Sequence, residues 1–228
     1  MVLPISYETK IRSVEKRIRE AKKQFDEGED ATSLASEVTD ALISLHLLLD
    51  RAQFEVWRKL NSKNTGKRKP NIYFPCCTTR ERFEARMSKD QMPDLEEKNS
   101  EVFRVIEGVQ PYKCSRRWWQ KLYDITSNRH ERDANVSKGS VTTGFGLGKG
   151  QNLYIREMKI SGSNVYFDGD ATNQKTGKKE PLRVDPTTED VFLLEDLKVQ
   201  PVVFANLCTQ KTKQTLTLLF NALDKNQG

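Results

Sequence analysis

Apolar residues at Ile11, Val14, Ile18, Ala21 and Phe25 recur at alternating steps of three and four, so they fall on one stripe of a helix. Between them Arg12, Glu15, Lys16, Arg17, Arg19 and Glu20 make the solvated face, and Gly28 ends the pattern inside an acidic DEGED turn. The same turn offers N-cap side chains to a second helix that carries Leu34, Val38, Ala41, Leu42, Leu45, Leu48, Leu49, Ala52, Val56 and Leu60. That stretch of about thirty residues has no Gly or Pro, which predicts a helix roughly 45 Å long at 1.5 Å per residue. Two amphipathic helices joined by a short turn predict an antiparallel hairpin. His46 lies among Leu45, Leu47 and Leu48 and reads as a hydrogen-bonded residue of the core or its boundary.

A polar, basic connection, NSKNTGKRKPN, then breaks the helical texture at 61–71. An extended apolar piece, Ile72 to Cys77, surrounds Pro75, and Arg80 to Met87 predicts a turn or two of helix. Pro93 opens a further helix through Leu95, Val102, Phe103 and Ile106 to Gly108. After the QPY turn at Gln110, Ser115 is placed to cap the next helix.

Beyond Asn135, β-branched and aromatic residues become common and Gly144, Gly146, Gly148 and Gly150 alternate with larger ones. Asn152–Ile160 and Asn164–Asp170 read as strands joined across Ser161-Gly162-Ser163, with Val191–Leu194 and Val199–Ala205 as further strands. The GFGLGKG run lacks the spacing of a phosphate-binding loop and the Ser or Thr after its lysine, so it reads as a flexible loop or glycine-rich strand. Thr212, Leu216, Leu219 and Leu223 mark a closing helix. The expected class is α+β: a mainly helical N-terminal region with a long antiparallel helical hairpin, then a small antiparallel β-rich part and a C-terminal helix. The expected domains are 1–136 and 137–228, the second packed on the first.

Bulk properties narrow the function classes. With 31% charged residues and no apolar run near the ~20 residues of a membrane span, a soluble cytoplasmic protein without a membrane partner is expected, and the first residues lack the features of a secretory signal. Cys76, Cys77, Cys114 and Cys208 form no C-x-x-C pair, and His46 and His130 are the only histidines, so neither a metal nor a cofactor is expected and the thiols read as buried and free. A net charge of +6 is compatible with a nucleic-acid partner. The positive charge gathers at Lys63–Lys69, Lys113–Lys121 and Lys175–Lys179.

The densest chemistry lies at Gln110–Asp133, QPYKCSRRWWQKLYDITSNRHERD. On a helix, Trp118, Leu122 and Ile125 share one line and Trp119, Tyr123, Thr126 and His130 a neighbouring one, so the first line is expected to pack on the hairpin. Packing does not account for Arg116 and Arg117 at the helix start, where their charge opposes the dipole, or for Arg129, His130 and Arg132 at its end. An external anion or acidic groups from another segment would satisfy them.

A helix like Ala41–Trp57, then Phe74-Pro75, QPY, a tryptophan-led helix and a basic, Asn- and His-containing end resemble a group of uncharacterised bacterial proteins of the HEPN-like helical class, over about residues 35–135. The resemblance implies a helical fold and a role in phage defence or a toxin–antitoxin system, as a ribonuclease or as an inactive binding module. The catalytic pattern of that class places an arginine five to seven positions before the histidine; here those positions before His130 hold Ile125, Asp124 and Tyr123. The expected function is therefore binding of RNA, DNA or a protein partner without catalysis. Arg116, Arg117, Lys121, Arg129 and Arg132 would contact phosphates and Asn128 the strand, with Trp119 or Tyr123 stacking on bases if exposed. The alternatives are a metal-independent ribonuclease using His130 with Arg129 and Arg132, completed by homodimerisation, and an assembly protein that oligomerises through the hairpin.

Overall fold

Helix α1 (Ile5–Asp26) turns at Gly28, whose φ of +105° is a left-handed conformation that glycine adopts without a steric penalty, into α2 (Ala31–Leu60). The Asp30 side chain caps α2 by accepting from the Thr32 N–H. The stripe Ile11, Val14, Ile18 and Ala21 is buried against the apolar face of α2, where Val38, Leu42, Leu45, Leu49, Ala52 and Val56 are all fully enclosed. This computed structural model describes residues 3–28, 30–61, 71–114, 117–127, 136–147, 151–161, 164–173, 175–180, 184–194 and 200–225.

Three shorter helices follow: α3 (Arg80–Lys89), α4 (Leu95–Lys98) and α5 (Ser100–Gly108). The expected single helix from Pro93 to Gly108 is broken at Asn99, whose side chain accepts from the Val102 N–H at 3.0 Å and so starts a new helix. Asn99 also donates to the Ala222 carbonyl at 3.4 Å, which ties that break to the last helix. Helix α6 (Trp118–Ser127) packs on α2, and α7 (Pro201–Lys225) packs on α1, α2 and α5. From α7, Phe204, Ala205, Cys208, Leu216, Leu219 and Leu223 enter the core.

The expected strand Val199–Ala205 is instead the first turns of α7. Pro201 stands at the first helical position, where its missing N–H costs nothing, and Phe204, Ala205 and Cys208 continue the Thr212–Leu223 stripe backwards. Burial of that stripe outweighs the local β preference of Val202 and Val203.

The α+β class is overturned: the protein is mostly helical. Among the described residues, every buried apolar side chain lies on a helix or on the connections at Leu3, Ile72–Cys77 and Met92. The chain divides into two compact units, one of residues 1–136 with 194–228 and one of residues 137–193. The closing helix belongs to the first unit. In the second, the backbone of Gln151–Ser161 runs antiparallel to Asn164–Asn173, with Ser161 opposite Asn164.

Candidate functional site

The extended segment Asn71–Cys77 lies beside α2 and has no strand partner among the described residues, so side chains satisfy its polar groups. Three side chains do this. The Phe74 N–H donates to Asp50 Oδ1 at 2.8 Å, the Trp119 indole N–H donates to the Pro75 carbonyl at 2.7 Å, and the Cys77 N–H donates to Gln110 Oε1 at 2.9 Å. Gln110 in turn donates to the Ile106 carbonyl at 2.9 Å. The Phe-Pro piece, the glutamine of QPY and the second tryptophan thus converge on one structural clamp.

The clamp leaves a cleft of about 400 Å³ between α2, this segment and α6. Such a volume lies toward the lower end of ligand pockets, about 300–1,000 Å³. Its polar floor is His46 and Asp50, one helical turn apart on α2. The Thr126 hydroxyl donates its one hydrogen to the Leu122 carbonyl at 2.8 Å. The same oxygen also contacts His46 Nδ1. His46 Nε2 faces Asp50 Oδ1 at 3.7 Å. The imidazole is held edge-to-face by Trp119, with ring centroids 5.1 Å apart, and tilted against Tyr123 at 5.6 Å. Thr126 at one nitrogen and the neighbouring rings of Trp119 and Tyr123 hold the imidazole in place.

Burial pushes the Asp50 carboxyl up to about 6, while the Phe74 N–H and the charge of Arg86 pull the other way. At neutral pH the group is therefore mostly ionised, with Oδ2 accepting no hydrogen bond among the described residues. Arg86 lines the same cleft and spends its Nε on Asp90 at 2.8 Å. The Cys76 thiol is pushed up to about 12 by burial, with Asp124 and Cys77 adding to the effect, so it stays protonated and is no nucleophile. All four cysteines are free; Cys77 and Cys208 are buried, Cys76 and Cys114 half-buried. Among the described residues no group of three or more His, Cys, Asp or Glu could hold a metal ion, and no helix is long and apolar enough to cross a membrane.

Of the residues expected to bind nucleic acid, Trp119 is fully buried and offers no face to a base. Tyr123 is 36% exposed at the cleft, where Tyr73, 52% exposed, joins it. Arg117 is exposed, with a left-handed φ of +44°, and Lys121 is half-buried. Arg116, Asn128, Arg129, His130 and Arg132 lie outside the described residues, as do Ser115 and the Lys63–Lys69 cluster. Sequence reasoning missed Asp50, Tyr73 and Arg86 as cleft residues. The one available signal was the His46–Asp50 pair at i and i+4, two polar groups on the same face of an otherwise apolar helix.

Compared with protein-family models, with curated proteins and with solved structures, the chain matches none.

Proposed function

We propose that the protein binds single-stranded nucleic acid through the α2–α6 cleft and catalyses no reaction on it. One observation carries this reading: the exposed rings of Tyr73 and Tyr123 stand at a cleft that His46, Asp50 and Arg86 also line. Aromatic faces of this kind hold unstacked bases at about 1–3 kcal/mol each, while cationic side chains follow the backbone. Arg117 and Lys121 on and before α6, and the net charge of +6, supply the cations. The resemblance to HEPN-like proteins adds a bacterial defence or toxin–antitoxin setting to the proposal.

Titration of labelled single-stranded RNA and DNA across a salt series tests the proposal. The expected log–log slope is about −0.7 per phosphate contact. A flat salt dependence, or cleavage of the RNA by the purified protein, overturns it.

A further inference from the structure

Resting on that reading, we propose that the cleft selects a guanine base, taken out of the strand and read along its Watson–Crick edge by Asp50 and Arg86. Guanine presents two adjacent N–H donors, N1 and N2, beside the O6 acceptor. No other common base offers two donors side by side: adenine and cytosine each pair one amino group with a ring-nitrogen acceptor, and uracil flanks its single N–H with two carbonyls.

The floor of the cleft is the complement of that edge. Asp50 is an acceptor only, and its Oδ2 is unused among the described residues while Oδ1 takes the Phe74 N–H. Arg86 spends Nε on Asp90, and its terminal nitrogens make no hydrogen bond among the described residues, which leaves donors for O6. Arg86 and Asp50 line the same cleft, so donor and acceptor are both offered to one ligand. A purine wedged beside Tyr73 and Tyr123 gains ring contact at the mouth of the cleft. The carboxylate faces adenine N1 or a uracil carbonyl lone pair to lone pair, which penalises those bases as well as favouring guanine.

The test is a fluorescence-anisotropy panel of labelled five-nucleotide RNAs, UUXUU, with X as guanine, adenine, cytosine, uracil or hypoxanthine. Guanine is expected to bind about tenfold or more tighter than the other common bases, in line with a paired two-bond contact. Hypoxanthine keeps N1–H and O6 but lacks the N2 amino group, so it should lose about fivefold or more. Asp50→Asn should bring all five within about twofold of one another, with melting curves confirming that the variant is folded. Equal affinities for the five on the unmodified protein overturn the guanine assignment while leaving strand binding intact, and so does a folded Asp50→Asn that keeps the preference. Absence of binding to every oligonucleotide overturns strand binding itself, and the guanine assignment with it.

Discussion

The indole N–H of Trp119 donates to the carbonyl of Pro75 at 2.7 Å, which fastens α6 to a segment 44 residues earlier in the chain. The bond is fully buried, and it converts the most prominent aromatic of the sequence from a ligand contact into part of a wall.

Trp119→Phe keeps most of the ring but leaves the Pro75 carbonyl without its donor in a buried place. A loss of about 1–3 kcal/mol in unfolding free energy is expected from denaturant titration. Affinity for single strands should stay within about threefold of the parent. A large loss of binding with unchanged stability would restore Trp119 as a contact residue.

Gln110→Ala removes the acceptor of the Cys77 N–H and the donor to the Ile106 carbonyl together. The expected cost is about 2 kcal/mol or more, since two buried groups lose their partners at once. Amide exchange at Cys77 should accelerate more than at Leu45 in the centre of α2. Uniform acceleration at both sites would mean that Gln110 acts on global stability and not on the clamp.

Asp50 gives a pH dependence with a defined sign. Its carboxyl titrates near 6 in the fold against an ordinary value of 3.8, so the native state holds the proton more tightly than the unfolded chain. Its contribution is most favourable below pH 3.8 and is lost as pH rises to about 6, a loss of roughly 3 kcal/mol at about 1.4 kcal/mol per pH unit. Asp50→Asn does not ionise and escapes that loss. The melting temperature of the variant relative to the parent should therefore climb between pH 4 and pH 7. A difference that stays constant over this range is incompatible with burial of the carboxylate.

Tyr123→Ala trims a partly exposed ring at the cleft. Stability should move by no more than about 1 kcal/mol, as for surface sites. Binding of single strands should weaken by about 1–3 kcal/mol, the worth of one stacked base. Unchanged binding in the folded variant would place the strand elsewhere.

Cys76 should resist alkylation. With its thiol pushed up to about 12, the thiolate fraction at pH 7.5 is minute, and the native protein should react with iodoacetamide far more slowly at this site than a free cysteine does. Rapid labelling of Cys76 in the folded protein, mapped by peptide mass, would contradict the burial.

The helical hairpin was legible because its signal is long: each stripe repeats over several turns, and the acidic turn with Gly28 separates the two. The start of α7 was not, since Val202 and Val203 favour a strand locally and only the distant core decides for helix. The β-rich texture after Asn135 misled at the level of fold class, because local alternation does not weigh that segment against the larger helical unit. The clamp is built from pairs 24, 33 and 44 residues apart, and the His46–Thr126 contact spans 80. No periodicity links such positions. Their residue types were visible, but their meeting place was not.

The placement of α7 also bears on how the chain must be made. Its side chains close a core whose other walls, α1, α2, α5 and α6, are complete by Ser127. A ribosome adding about 5–20 residues per second needs roughly 5 to 20 s to pass from the end of α6 to the end of α7. Throughout that interval the apolar faces of α2 and α5 wait uncovered. A nascent chain halted before Pro201 would therefore be a client for holdase chaperones, since the helical body is not finished until α7 is made.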